Sequence, residues 1–348
     1  MKQTTLVFRV PKFRIYLRIS RKVIPIFLIL ILMTLLGLVI NTCVGDYPIS
    51  PVAVMQTLLG IDTGNPDHSF IIYTLRLPRT LTACLVGIAL GIAGTIMQSI
   101  TRNPLADPGI IGINAGAGLA AVSVIILFPN VPIFSLPLAA FGGALLACLL
   151  MYLLAWERGT HPIRLILIGV GIGGVTEAGT DLMIALGNIY DVNEALVWLA
   201  GSVYGRSWEQ VVALALWLMV FIPLAFMGIS SLNALILGDD IAKGLGIRVE
   251  WERSFLLLVS AGLSGVAVAT AGTIGFIGLI APHIGRKLVG NSHEGLIPVA
   301  GMMGGMLVVW ADFLGRVLFS PVEIPCGIIT AVIGAPYFVY LLVKSRKK

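Results

Sequence analysis

The stretch Val23-Ile-Pro-Ile-Phe-Leu-Ile-Leu-Ile-Leu-Met-Thr-Leu-Leu-Gly-Leu-Val-Ile40 carries no charged side chain and follows directly on Arg21-Lys22. A helix rises 1.5 Å per residue, so about 20 apolar residues cross the core of a bilayer. A helix on the surface of a soluble domain would show a polar face, which Thr34 alone cannot supply. The stretch therefore reads as a membrane-spanning helix. A cleaved leader is the other reading of a basic segment followed by an apolar run. This run is long for a leader, and no small-residue cleavage pattern follows it. Ile40-Asn41-Thr42-Cys43 is a poor lipoprotein site. A retained helix is expected.

Nine further runs of this kind follow, near Thr80–Ile100, Ile110–Phe128, Leu136–Trp156, Leu165–Leu186, Val211–Ile229, Phe255–Ala271, Thr273–Ile284, Gly295–Phe319 and Gly327–Val343. The third run of the ten is rich in glycine, and the eighth is too short to cross alone. Both are tolerable only inside a bundle, where neighbours satisfy broken backbone. The whole composition agrees. The 348 residues are 57% apolar and 11% charged, with a mean hydropathy of +0.98. Soluble domains carry about 25% charged residues. Four cysteines are too few for a disulfide scaffold, and nothing in the sequence brings Cys43 and Cys326 together. The net charge of +6 is concentrated at particular places and does not point to nucleic acid.

Those places set the topology. With the N-terminus in the cytoplasm and ten alternating helices, nineteen of the 23 Lys and Arg fall inside. Only Arg76, Arg79, Arg206 and Arg316 fall outside, which is the asymmetry of the positive-inside rule. An odd helix count would place one basic terminus outside. The expected fold is an all-α polytopic membrane protein of about ten transmembrane helices, with N- and C-termini cytoplasmic. Residues 1–22 form a basic N-terminal segment, 23–343 a single ten-helix domain and 344–348 a basic tail. Glycine pairs at Gly87/Gly91, Gly112/Gly116, Gly169/Gly173 and Gly301/Gly305 suit close helix crossings. Ala93-Gly94-Thr95-Ile96 recurs as Ala271-Gly272-Thr273-Ile274, in helices of opposite direction. An inverted internal repeat, common in transporters, or chance in a chain rich in Ala and Gly would each produce that echo.

Enzyme chemistry finds no foothold. No Gly-Lys dipeptide occurs, so no P-loop is present, and H-E-x-x-H, C-x-x-C and a dinucleotide fingerprint are missing. His68, His161, His283 and His293 lie in separate segments and read as solvated or capping residues. No catalytic residue, metal ligand or bound cofactor is assigned.

Two segments look made for partners. The inside loop Leu235-Ile-Leu-Gly-Asp-Asp-Ile-Ala-Lys-Gly-Leu-Gly-Ile-Arg-Val-Glu-Trp251 repeats apolar residues at Leu237, Ile241, Leu245 and Val249. Gly244 and Gly246 predict two short helices joined by a glycine turn. Such an element either docks onto a protein or lies on the lipid surface, although a lipid-surface helix usually carries more Lys and Arg. Outside, Arg76-Leu-Pro-Arg79 opens the second helix and Arg316 closes the ninth. Guanidinium groups recognise carboxylates, so this set suits an acidic partner. Alternatively Asp312, four residues before Arg316, neutralises it locally.

With these residues in view, the chain resembles the FecCD family of membrane permeases. The resemblance is carried by Arg76-Leu-Pro-Arg79, Met97-Gln98, Asn103-Pro-Leu-Ala-Asp-Pro108-Gly109, Gly275-Phe-Ile-Gly-Leu-Ile-Ala-Pro-His-Ile-Gly-Arg286 and Glu323-Ile-Pro-Cys-Gly-Ile-Ile-Thr-Ala-Val-Ile-Gly-Ala-Pro336. It extends over about Val23 to Val343. It implies a subunit of a bacterial plasma (inner) membrane importer of the ATP-binding-cassette type, for ferric siderophores, haem or cobalamin. The implied partners are a second FecCD-type permease subunit, two ATPase subunits carrying ATP and Mg, and an extracytoplasmic substrate-binding protein. By the same resemblance Leu237, Asp239, Asp240, Ile241, Leu245 and Gly246 belong to an ATPase-coupling element. Arg76, Arg79 and Arg316 dock the binding protein. Asn103 and Leu105 form one cytoplasmic gate and Pro162 and Ile163 a second, where the loop Thr160-His-Pro-Ile-Arg164 departs from the family pattern. Cys326 stands where many relatives carry Val.

The leading expectation is a ferric-siderophore permease, with cobalamin or haem as the runner-up cargo. The rival class is an ion-coupled transporter using Glu177 and Asp181, one turn apart in the fifth helix, because intramembrane acids are functional by default. In family members that helix lines the pathway, which assigns Thr176, Glu177, Thr180 and Asp181 to its wall. Carboxylates there would disfavour strongly anionic cargo such as ferric triscatecholates. The bland alternatives are that the two acids cap the helix end, pair with Arg206 or stay protonated.

Overall fold

In the computed structural model of the chain, residues 5–10, 15–45, 47–109, 111–128, 131–132, 134–157 and 159–345 are described. Lys2, Lys12, Arg14, Arg158, Arg346, Lys347 and Lys348, part of the charge count above, lie outside them.

All ten expected helices are present. They are α1 (Val23–Cys43), α4 (Leu77–Ile100), α5 (Ile113–Leu127), α6 (Ser135–Ala155), α7 (Pro162–Leu186), α9 (Trp208–Met227), α12 (Val249–Ala271), α13 (Ile277–Val289), α14 (His293–Val317) and α15 (Cys326–Ser345). Between them run the short helices α2 (Pro51–Leu58), α3 (Pro66–Phe70), α8 (Ile189–Leu199), α10 (Ile229–Leu235) and α11 (Asp239–Gly244). A π-helical stretch, Ile71–Arg76, joins α3 to α4. Eight of the helices are long and apolar enough to cross a membrane, counting α3 to α4 as one. The two short ones, α5 and α13, are the third and eighth runs that the sequence marks as weak.

The N-terminal segment is expected from the sequence as basic chain, with no secondary structure assigned to it. Its backbone instead forms an antiparallel hairpin of β1 (Thr5–Val10) and β2 (Ile15–Ser20), with Thr5 opposite Ser20 and Val10 opposite Ile15.

Helices α4, α12 and α14 form the core, and the others surround them with apolar faces turned outward. In water the hydrophobic effect would bury those faces, and here lipid takes its place. Close packing then rests on small residues. A Cβ on Gly87 would stand 2.2 Å from the Gly304 carbonyl oxygen, and one on Gly91 would stand 2.3 Å from that of Ala300. Gly112 meets Gly169 and Gly173 in the same way, and its φ of +86° suits the turn that starts α5. The glycine pairs singled out in the sequence are therefore crossing points.

The break between α12 and α13 shows how unpaired backbone is satisfied at depth. Gly272 ends α12 at φ +71°. The freed carbonyl of Ala271 accepts from Ser202 N–H at 2.7 Å, and Thr273 Oγ1 donates to the Leu199 carbonyl. The four-residue echo straddles this break in its second copy. The first copy lies wholly inside α4, where Gly94 packs on the Gly278 carbonyl. The two copies thus adopt different local conformations.

Helix α1 is part of the bundle. Asn41 Nδ2 donates to the Val309 carbonyl of α14 at 3.1 Å.

Candidate functional site

At the outer end, the loop after α1, the start of α4, the loop between α8 and α9, and the end of α14 enclose a cavity of about 560 Å³. Arg76, Arg79, Arg206 and Arg316, the four external basic residues of the sequence, all line it, with Tyr204 and Glu323. The structure brings the predicted docking set together and adds Arg206, which sequence reasoning placed outside without a role.

The expected geometry of that set needs correction. Among the described residues Asp312 makes its ion pair with Arg79 and not with Arg316. It binds Arg79, whose Nε and Nη2 reach its carboxylate at 2.8–3.1 Å, while Nη1 reaches Glu323 at 2.7 Å. Crossing of α4 over α14 puts Asp312 nearer to Arg79 than its own helix puts it to Arg316. Arg76 donates to the carbonyls of Thr42, Cys43 and Tyr47, and Arg316 donates to Asn41. All three guanidinium groups are buried. They form the walls of the cavity and tie its rim together, in place of the exposed rim charges expected. Arg206 differs. It makes no ion pair among the described residues, its Nε has no partner, and burial lowers its pKa. An anion entering the cavity would relieve that penalty.

On the cytoplasmic side, Leu237, Asp240, Ile241, Leu245 and Gly246 are exposed. The apolar stripe stands away from the bundle, except that Val249 is buried as the first residue of α12. The two short helices exist as α10 and α11. The break between them falls at 236–238, where Gly238 has φ +111°, and a second break follows Gly244, where the glycines predict one, with the long α12 after it in place of a short helix. Gly246, at φ +83°, makes the turn into α12. Asp239 points inward, to Arg253 at 2.7 Å and Arg102 at 3.3 Å.

Of the residues expected to form gates, Asn103 and Leu105 lie in the loop after α4, and Pro162 and Ile163 are the first two residues of α7. Asn103 Oδ1 accepts from Leu105 N–H at 2.9 Å, and the Leu105 side chain packs near Leu279 and Leu341. Pro162 is buried at the first turn of α7, whereas Ile163 is exposed. No direct bond joins the two pairs among the described residues.

Glu177, Thr180 and Asp181 line a second cavity of about 380 Å³ with Asn114, Leu199 and Thr273. Thr176 sits one turn away, with its hydroxyl bonded to the carbonyls of Ile172 and Gly173. Neither acid pairs with Arg206 among the described residues, so that alternative is set aside.

Several polar residues were missed in the sequence. Gln98 donates to the carbonyls of Gly278 and Leu279 and accepts from Arg286, joining the Met97-Gln98 motif to the Gly275–Arg286 motif. His293, read as solvated or capping, is fully buried between Ser99 and Asn233, at 2.7 Å from each. For Gln98, a polar residue inside an apolar run was the available signal, whereas His293 stands in the polar stretch 290–295 and gave none.

The model of the FecCD transport family matches residues 29–344. The chain belongs to the FecCD transport family. Members of this family are membrane permease subunits of ABC importers, so the chain is a multi-pass permease rather than an enzyme in its own right. Among its relatives, the Fe(3+)-citrate import system permease protein YfmE of Bacillus subtilis is 44% identical over 93% of this chain and 97% of its own. The iron(3+)-hydroxamate import system permease protein FhuG of the same organism is 40% identical over 88% and 93%. The Fe(3+) dicitrate transport system permease protein FecD of Escherichia coli is 42% identical over 80% and 87%. A solved structure of an inward-facing metal-chelate type ABC transporter superposes with a TM-score of 0.77 at 30% identity, covering 92% of this FecCD chain and 99% of that one.

Proposed function

We propose that this FecCD permease is one membrane-spanning half of a bacterial plasma-membrane importer for ferric siderophores. The observation that carries the cargo class is the agreement among relatives of 40–44% identity, whose names specify iron(3+) citrate or iron(3+) hydroxamate. A second FecCD-type permease subunit, either a non-identical chain or a second copy of this one, completes the pathway. Two ATPase subunits, holding ATP and Mg, sit against the cytoplasmic face, and an extracytoplasmic binding protein docks outside.

Each surface supports a part of this reading. Exposed Leu237, Ile241 and Leu245 form an apolar stripe suited to a groove on the ATPase. Arg76, Arg79, Arg206 and Arg316 line the outer cavity and suit it to acidic side chains of a binding protein. Asn103, Leu105, Pro162 and Ile163 close the cytoplasmic end. Thr176, Glu177, Thr180 and Asp181 line the path, and their two carboxylates repel anionic cargo in a poorly screened cavity. Hydroxamates, neutral or nearly so when loaded with iron, suit that path better than triscatecholates.

The test of the ATPase contact is affinity purification of the tagged chain from its host membrane. An ATP-hydrolysing subunit is expected to co-purify, and Leu245→Asp is expected to release it, because an unpaired charge would enter an apolar contact. Co-purification unaffected by Leu245→Asp would remove the coupling role. Competitive uptake of a ferric hydroxamate and a ferric triscatecholate tests the cargo. Preference for the hydroxamate is expected, reduced in Glu177→Gln/Asp181→Asn. A triscatecholate preference untouched by that double variant would refute the pathway argument.

A further inference from the structure

The guanidinium of Arg253 is fully buried at the cytoplasmic start of α12, and two other segments, α11 and the loop before α7, meet on it. Its Nη2 donates to Asp239 Oδ1 of α11 at 2.7 Å. Its Nη1 donates to the carbonyl and, at 3.0 Å, the hydroxyl of Thr160, two residues before Pro162. Glu250, one turn earlier, accepts from the same Thr160 through its N–H at 2.9 Å and its hydroxyl at 2.8 Å. Asp239 Oδ1 also accepts from Arg102 at 3.3 Å, and Arg102 immediately precedes Asn103. Arg102 holds a left-handed backbone, φ +52°, at the end of α4. One carboxylate, with the guanidiniums of Arg253 and Arg102, thus joins the exposed element α11 to the loop that leads into Pro162 and to the loop that carries Asn103.

We infer that Asp239 and Arg253 are positioning residues that link both cytoplasmic gate loops to α11, so that one displacement of α11 moves the two together. This rests on the reading of 235–249 as the ATPase contact. Moving α11 away alone would take the nearer carboxylate, Asp239 at 2.7 Å, from a fully buried guanidinium and leave it only Glu250 at 3.4 Å, which is unfavourable, so a shift of α11 tends to carry Arg253 and Thr160 with it. Arginine is suited to the place because its planar fork serves two partners at once. A lysine ammonium is a single point charge on a flexible stem and cannot hold both in one geometry. Thr160 receives bonds on its carbonyl and gives them from its hydroxyl and N–H, so its loop is held on two sides.

The test uses Arg253→Lys and Thr160→Val in the full chain. Neither side chain is on the surface, so the ATPase contact itself is not altered. Spin labels at Lys243 and Pro104, and at Lys243 and Ile163, report how firmly each gate loop follows α11, in a background lacking the four native cysteines. The second readout is iron imported per ATP hydrolysed by the importer isolated from its host. The inference predicts broadened Lys243–Ile163 distances in both variants and a loss of about tenfold in iron per ATP in Arg253→Lys. A merely structural role would lower hydrolysis and import in proportion and leave their ratio unchanged. Should Arg253→Lys fail to accumulate, Thr160→Val carries the test, since it keeps every ion pair and removes one hydroxyl. Narrow, wild-type distances together with an unchanged ratio overturn the inference. Failure of Leu245→Asp to release the ATPase overturns the contact instead, and the distance distributions then still decide whether the loops are linked.

Discussion

Asp312 and Arg79 set the cost of change at the outer cavity. Both are buried, and the arginine fork spans Asp312 and Glu323. Removing Asp312 would leave the buried Arg79 with the half-buried Glu323 alone, a cost below the roughly 3–5 kcal/mol of a fully stranded buried charge. Asp312→Asn is therefore expected to lower the thermal stability of the purified chain and its level in the membrane. Arg206→Gln is expected to spare stability, because Arg206 has no ion pair to lose among the described residues. Its effect belongs to association: weaker capture of the binding protein, with the difference shrinking as salt rises. Equal capture by Arg206→Gln at low salt would show that this guanidinium is not part of the docking surface. The sequence separates these arginines from the other basic residues by topology. It cannot distinguish them from one another, because the partner of Arg79 lies across a helix crossing, 233 positions away.

At the scale of elements, the crossing of α4 and α14 is the joint on which the bundle depends. The carbonyls of Gly87 and Gly304 each lie where the other's Cβ would be, at 2.1–2.2 Å. Backbone cannot yield as a side-chain tip does, so Gly87→Leu must separate the helices. Overpacking of this kind costs about 1–3 kcal/mol or more. Gly174→Ala is the control, since nothing lies within 4 Å of a Cβ there. Thermal melts should separate the two variants clearly, and a melt unchanged in Gly87→Leu would contradict the crossing. This joint was legible, because two small residues four apart in an apolar run have few other uses. The break at 236–238 was not. The sequence contains three glycines nearby, Gly238, Gly244 and Gly246, and their spacing does not reveal that the chain breaks before Asp239 as well as after Gly244. Nor does the apolar spacing reveal that Val249 turns inward, since that follows from the start of α12.

For the whole molecule, helix count, topology and orientation follow from two sums along the chain, apolar length and the placement of Lys and Arg. Both are insensitive to side-chain detail. The hairpin of residues 5–20 escaped because its basic residues draw attention as charge, while the alternation beneath them is short. The polar networks escaped because they join residues distant in sequence. One face of α7 remains open, with Gly171, Gly174, Glu177, Ala178 and Asp181 on it. Carboxylates and bare backbone are poor lipid neighbours, so this face is expected to meet water in the pathway or the second permease. A cysteine at Ala178 should react with a membrane-impermeant thiol reagent, and resistance to that reagent unless detergent is added would place the face in lipid.

The central claim is that this chain carries ferric siderophore through the membrane only when a separate ATPase drives it. Uptake of radioactive iron as a ferric hydroxamate, compared in the host, in a strain lacking this gene and in that strain with the gene restored, tests it most directly. Uptake should vanish with the gene, return with the wild-type chain and fail to return with Leu245→Asp. Full uptake in the strain lacking the gene, or full restoration by Leu245→Asp, would contradict the account.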